Sequence, residues 1–266
     1  MKIAFIGGGN MGEAMLSAIL DKRLSTPQSI FVSDISDSRL KQLEQKYGVA
    51  VASDNRLAGG KGEVVILAIK PQNLVEVMAE LNGQLRPTQL VLSIVAGARI
   101  NTLCRGLTHR RVIRVMPNTP AQVGEGMSVW TATPEVTKRQ KGWAASILGA
   151  MGKEIYVDDE GYLDMATAIS GSGPAYIFLF VESMVDAAVH IGLPRDMAQK
   201  LVLQTLLGSG HFLQKSGKAP AELRKMVTSP GGTTAEALLQ FEKGEFSNLV
   251  TQAVIAAYNK ARKLGD

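Results

Sequence analysis

The chain has 266 residues, 45% hydrophobic and 20% charged, the balance of a soluble globular protein with room for one large or two modest domains. Net charge is +5 with an isoelectric point near 9.3, but the basic residues are scattered and form no stripe suited to nucleic acid, so the charge reads as solubility with a mild pull on small anions. Cys104 is the only cysteine and His109, His190 and His211 are the only histidines, none at paired-ligand spacing, which excludes an intrachain disulfide and argues against a metal centre.

From Met1 the chain runs directly into MKIAFIGGG, a strand and a glycine turn with no charged-then-apolar leader. Its unbroken apolar runs fall short of the ~18 residues of a membrane span. A cytoplasmic protein with no membrane partner is expected. From Lys2 to about Val157 short apolar runs alternate with helical patterns: KIAFIG, NMGEAMLSAILDKR, SIFVSD, SDSRLKQLEQKYG, then VVILAI, NLVEVMAEL, LVLSIVAG and RVIRVMP. VVILAI and LVLSIV lack polar alternation and read as strands covered on both faces, as in a parallel sheet. This half is α/β and doubly wound.

Past Asp158 the texture changes. Ala175 to Ile191, Asp196 to Gln214, Ala235 to Glu242 and Phe246 to Lys263 all carry helical periodicity, separated by the Gly- and Pro-bearing loops GSGP (171–174), GLP (192–194) and SPGGTT (229–234). The sequence thus divides into an α/β domain over 1–158 and an all-helical domain over 159–266. Apolar faces on long helices with little sheet to cover them point to burial against a second copy of the chain.

Gly7-Gly8-Gly9-Asn10-Met11-Gly12 satisfies GxGxxG, directly follows the apolar strand Ile3-Ala4-Phe5-Ile6 and opens a helix. Gly7 permits the tight turn, Gly9 lets backbone approach a pyrophosphate, and Gly12 lets helix meet strand. Amides at the helix start meet the phosphate charge. At the end of the second strand, Asp34 can accept from a ribose 2′-OH and would repel a 2′-phosphate, which leans the NAD(P)H choice toward NADH. Ser33, Ser36 and Arg39 are close enough in sequence to accommodate a phosphate instead, and Asp34 could cap the helix starting near Asp37.

Three further stretches carry a family resemblance: VILAIKPQ (65–72), RVMPNTPAQVGEG (114–126), and ISGSGPAYIFLFVESMVDAAVHIGLPR (169–195) with the later MVTSPGGTTAEAL (226–238). In this order and spacing the chain resembles the pyrroline-5-carboxylate reductases over nearly its whole length. The resemblance implies a Rossmann domain followed by an all-α dimerisation domain, in a homodimer or higher oligomer, with NAD(P)H as cofactor and Δ1-pyrroline-5-carboxylate as substrate. It also implies an active site shared between subunits, the SPGGTT loop of one beside the cofactor of the other. By resemblance Ile6 to Met11 hold the pyrophosphate, Asn55 lies near the adenosine, and Ala68, Ile69, Lys70 and Pro71 with Ala96 and Gly97 line the nicotinamide half. Ser229, Gly232, Thr233 and Thr234 bind substrate. Met226 stands where some members carry a polar residue.

The residues of SPGGTT support such a role on their own. Glycine leaves backbone amides uncovered, proline ends the preceding helix, and the next helix starts at Thr233 or Thr234, so amides and hydroxyls can hold a carboxylate; a plain N-cap from Ser229 or Thr233 is the competing reading. No histidine sits in a motif where it could protonate a developing alkoxide. An imine lessens that demand, because its nitrogen can arrive protonated, and Thr234 is then the candidate for orienting or relaying at the ring nitrogen. Lys70 faces either a phosphate or ribose, or solvent; Asn118 positions substrate or shapes a turn. Glu182 and Asp186 share a helix face that reads as solvated, and Cys104 reads as a packed small hydrophobe.

Two other functions fit part of the pattern. Hydroxyacid or 6-phosphogluconate-type dehydrogenases share the domain order but use a lysine on the helix after GSG, and PAYIFLFVESM contains none. A non-catalytic nicotinamide-binding protein would leave the SPGGTT loop without a purpose.

Overall fold

The computed structural model of the chain describes residues 1–265. Its first half is built on an eight-stranded sheet: β1 (Ile3–Ile6), β2 (Ile30–Ser33), β3 (Ala50–Ala52), β4 (Val64–Leu67), β5 (Leu90–Ser93), β6 (Val112–Met116), β7 (Gly126–Ala132) and β8 (Gly152–Tyr156), in spatial order β3-β2-β1-β4-β5-β6-β7-β8. Neighbours are parallel except β6 and β7, which pair antiparallel with Val115 opposite Trp130. The order reverses between β1 and β4, the point where such sheets open a crevice at the carboxyl ends of their strands.

The helices of this half are α1 (Asn10–Asp21), α2 (Asp37–Tyr47), α3 (Asn55–Lys61), α4 (Leu74–Leu81), α5 (Ile100–Leu107), α6 (Lys138–Gly149) and α7 (Gly161–Ala166). They cover both sides of the sheet, and the strand period explains the two cores that result. Ile3 and Phe5 pack with Met15, Leu16, Ile19 and Ile147 on one face, whereas Ala4 and Ile6 pack with Val77, Leu81, Leu103 and Leu107 on the other. Removing each such Leu, Ile or Phe from water contributes roughly 1.5–3 kcal/mol before entropy is counted. A buried ion network adds to this: Arg114 on β6 reaches Glu160 at 2.8 Å and Asp164 at 3.3 Å, and Arg99 reaches Asp164 at 2.7 Å.

The chain forms two compact units, one of residues 1–172 with 257–265 and one of residues 173–256. The second contains α8 (Gly173–His190), α9 (Arg195–Ser216), α10 (Pro220–Met226), α11 (Thr233–Lys243) and most of α12 (Phe246–Gly265). Gly192, at φ +104, turns the chain between α8 and α9. The core here is small, formed by Val185, Ala198 and Val202, and Phe241 meets Phe246 edge-on at 5.3 Å. No strand occurs in this unit among the described residues.

GSGP, expected as a loop, is almost wholly helical. A π-helical turn spans Thr167–Gly171 and α8 opens at Gly173, leaving Ser172 alone between them. Gly171 serves close packing there, since a Cβ would lie 2.5 Å from the Met116 methyl. The helical stretch Gly161–His190 is long and apolar enough, by length and composition, to cross a membrane, with a best-window mean hydropathy of 1.3. Unbroken apolar runs understate such a helix because small and isolated polar residues interrupt them.

Candidate cofactor and substrate site

The turns after β1, β4 and β5 lie side by side at the carboxyl edge of the sheet, because those strands are neighbours in register. Gly7, at φ +99, has the backbone of Ala68 against it: an added Cβ would fall 2.6 Å from the Ala68 carbonyl oxygen. Gly12 on α1 is packed in the same way against the Gly7 carbonyl, again at 2.6 Å. Gly9 is different. It is exposed, has nothing within 4 Å of a built Cβ, and stands as N-cap of α1 with no side chain capping the helix. Two glycines therefore shape the turn and the third leaves an open cradle over a helix N-terminus, the arrangement a pyrophosphate fits. Asn10 is exposed beside it and Met11 half-buried, while Ile6 ends the strand in the core.

Across the crevice, Ala68 and Ile69 are half-buried, Lys70 is exposed, and Pro71 begins a short 3₁₀ turn. Ala96 is exposed and Gly97 adopts φ +75, with its Cα held against Leu264: an added Cβ would fall 2.7 Å from the Leu264 carbonyl oxygen. These residues follow β4 and β5 on the side of the switch point away from β2.

At the end of β2, Asp34 is committed to the backbone, its Oδ2 accepting from Gly8 N at 2.8 Å and its Oδ1 from Ser36 N at 2.9 Å. The cap of α2 is Ser36, which accepts from Arg39 N at 3.3 Å; Asp34 does not cap it. Ser33 is fully buried. Its hydroxyl donates to Asn55 Oδ1 at 2.6 Å, with the Phe5 carbonyl at 3.3 Å as an alternative acceptor. Asn55 in turn donates from Nδ2 to Glu80 at 2.6 Å. Ser33 is thus a support beneath Asn55, and Glu80 a second support with no mark in the sequence.

Sequence reasoning also passed over Glu13. It lies one helical turn past Gly9 and collects the Arg39 guanidinium, Lys46 Nζ at 2.8 Å and the Tyr47 hydroxyl at 2.9 Å. The Lys46 ammonium, joined by Arg39 and Tyr47 and opposed by partial burial, lowers its carboxyl from the ordinary 4.5 to about 2. No spacing rule joins α1 to the far end of α2, so only the fold discloses this cluster.

In the helical unit, Gly232 is the N-cap of α11, and Gly231 turns at φ +69. No side chain caps the helix, so the N-cap reading of Ser229 or Thr233 is not what forms. Among the described residues, the hydroxyls of Ser229, Thr233 and Thr234 find no partner within the chain; Ser229 and Thr233 are exposed and Thr234 half-buried. Asn118, by contrast, has its amide spent on structure, donating to the Ser170 carbonyl at 3.1 Å and accepting from Met127 N at 2.8 Å. Glu182 and Asp186 are exposed, with Asp186 paired to Arg195, and His190 and His211 are exposed. Cys104 is half-buried against the second core, and burial pushes its thiol up. No group of three metal-ligating side chains converges among the described residues.

Fold and turn together define a Rossmann-type dinucleotide-binding protein with a helical second half. Residues 160–264 match the family model described as pyrroline-5-carboxylate reductase dimerisation, and residues 2–97 match one described as NADP oxidoreductase, coenzyme F420-dependent. A pyrroline-5-carboxylate reductase of Synechocystis is 40% identical over 266 residues, covering 100% of this chain and 98% of the relative. One from Arabidopsis thaliana is 38% identical over 99% of this chain and 95% of the relative. Among solved structures, a pyrroline-5-carboxylate reductase from Coxiella burnetii superposes with a TM-score of 0.92 at 37% identity, covering 100% and 98% of the two chains. The Plasmodium falciparum pyrroline carboxylate reductase with NADP bound gives 0.91 at 32% identity, with the same coverage. The chain belongs to the pyrroline-5-carboxylate reductase family.

Proposed function

We propose that this protein reduces the C=N bond of Δ1-pyrroline-5-carboxylate with NAD(P)H, giving L-proline in the last step of proline biosynthesis. The observation that carries the reading is the SPGGTT segment, which leaves three hydroxyls and the first amides of an 11-residue helix unpartnered within the chain, beside a sequence 40% identical to a named reductase over its full length. Those groups suit a carboxylate: the hydroxyls of Ser229 and Thr233 and the amides at Thr233 and Thr234 supply donors, and the helix dipole favours the negative charge.

NAD(P)H, when bound, supplies the hydride to the imine carbon. Gly7 to Gly12 hold its pyrophosphate, Asn55 lies on the adenosine side, and Ala68 to Pro71 with Ala96 and Gly97 line the nicotinamide half. The chain needs no strong acid for the reduction, since a protonated imine already carries the proton that the product amine keeps. Thr234 then orients the ring nitrogen by hydrogen bonding.

Asp34 leans the cofactor choice to NADH, because a carboxylate there accepts from a ribose hydroxyl and repels a phosphate. The protein acts in the cytoplasm as a homodimer joined through its C-terminal helices. Ile177, Phe178, Leu203, Leu207 and Leu249 are all around half exposed or more, and a three-residue core is too small to stabilise five helices unaided, so a second copy covers them rather than a lipid bilayer. Purified protein given Δ1-pyrroline-5-carboxylate with NADH and NADPH separately tests the reading through loss of reduced cofactor. No oxidation with either removes the reductase assignment; a strong NADPH preference removes only the preference argued from Asp34.

A further inference from the structure

The glycine turn is gripped from two sides by charge. Gly8 donates its N–H to Asp34 at 2.8 Å, and its carbonyl accepts from Arg39 Nε at 2.6 Å. Arg39 is the basic side chain that follows β2 most closely, and its chemistry suits a 2′-phosphate. In this fold its guanidinium is already engaged, by Gly8 on one edge and Glu13 on another, and its own N–H is fixed to Ser36. Glu13 also takes Lys46, from the last turn of α2, so the two carboxylates Asp34 and Glu13 balance these two cations.

Resting on the cofactor reading above, we infer that Glu13 is a specificity-determining residue: by holding Arg39 and Lys46 at the glycine turn, it denies their charge to a 2′-phosphate and favours the dinucleotide with a free ribose 2′-hydroxyl. Two features make the assignment specific to Glu13. Its place on the first turn of α1 is fixed by its backbone bond to Gly9 at 2.8 Å, so its reach to Arg39 is a property of the turn itself. Its carboxylate also has three donors, which keeps it ionised throughout the physiological range and keeps the cations occupied. Neutralising it leaves the cluster with net positive charge and two unpaired cations beside Asp34.

The test compares adenosine 2′,5′-bisphosphate with adenosine 5′-monophosphate by calorimetry on the full-length protein, using the ratio of their affinities so that general damage to the turn cancels. Glu13→Gln is expected to raise the ratio in favour of the bisphosphate by roughly fivefold to tenfold, and the double variant Glu13→Gln with Arg39→Gln to return most of that gain. Arg39→Gln alone is expected to move the ratio less than about twofold, because Glu13 already occupies that arginine. An unchanged or lowered ratio in Glu13→Gln overturns the inference. So does a fall of about tenfold in Arg39→Gln alone, which would mean that Arg39 serves the phosphate in the native protein. A native ratio that already favours the bisphosphate would remove the NADH preference, while the role of Glu13 would still be decided by its variant.

Discussion

Ser33 donates a hydrogen bond to Asn55 across 2.6 Å, tying the end of β2 to the first residue of α3 and fixing the asparagine at the carboxyl edge of the sheet. Ser33→Ala removes that donor and leaves Asn55 held by Glu80 alone. The variant is expected to lose about 1 kcal/mol of stability and to raise the cofactor KM by roughly threefold to tenfold, with a smaller effect on kcat. Steady-state kinetics on the folded variant check this, and an unchanged KM would show that Asn55 keeps its place without Ser33.

The glycines of the turn should separate under mutation. Gly9→Ala places a methyl in open space on an ordinary backbone, so the melting temperature should hold while dinucleotide affinity drops by roughly tenfold or more. Gly7→Ala meets both a positive φ and the Ala68 carbonyl, and should cost roughly 1–3 kcal/mol of stability. Thermal melts beside cofactor titrations distinguish the two; equal destabilisation would contradict the division of roles.

Thr234→Ala should lower kcat by roughly tenfold to a hundredfold and leave dinucleotide affinity near that of the native protein, whereas Thr234→Ser should recover most of the rate. Single-turnover rates with cofactor binding measured separately give the answer. A kcat unaffected by loss of the hydroxyl takes Thr234 out of the reaction.

Asp164 is 3% exposed and receives two guanidinium groups. Its replacement by Ala leaves buried Arg114 with Glu160 alone, and a loss of about 3–5 kcal/mol is expected, against about 1 kcal/mol for the more exposed Glu160→Ala. Urea denaturation midpoints rank the two, and the reverse order would mean that Glu160 is the principal partner.

His109 is buried, and burial, opposed by its contact with the Gln89 carbonyl at 2.9 Å and assisted by Arg111, lowers its imidazole below the ordinary 6.5. The unfolded chain therefore takes up a proton that the folded chain resists. This contribution to stability is complete above about pH 6.5 and declines as pH falls toward the lowered value. Denaturation midpoints measured from neutral pH down to about pH 5 should fall less steeply in His109→Gln than in the native protein; parallel curves would contradict the assignment.

What could be read from the amino acids follows the range of the interactions. β1, β4 and β5 are legible because doubly covered strands write almost unbroken apolar runs, and β6 because its apolar residues are interrupted only by Arg114. β8, at the sheet edge, is partly or fully exposed along GKEIY and leaves no such mark, and β7, reading GMSVWTA, mixes polar with apolar residues and pairs antiparallel to β6. α3, reading NRLAGGK, has two glycines that argue against a helix, yet it forms with Gly59 packed near Leu81. At the site, the GxGxxG turn and SPGGTT are local and could be recognised. The Ser33–Asn55–Glu80 chain and the Glu13 cluster join residues more than twenty positions apart, and no periodicity encodes them.

Leu264 lies against Gly97, and Gly265 approaches the Arg99 guanidinium closely enough that an added Cβ would fall 2.5 Å from Arg99 Nε. Residues 257–265 therefore belong to the sheet-bearing unit although the whole helical unit is translated between them and residue 172. A growing chain can assemble the sheet early, but the turn at Gly97 waits for its packing partner until nearly all of these 265 residues have been made. Synthesis thus leaves the Gly97 side of the crevice unfinished until late, and a fragment ending at Ser172 would lack the same nine residues permanently.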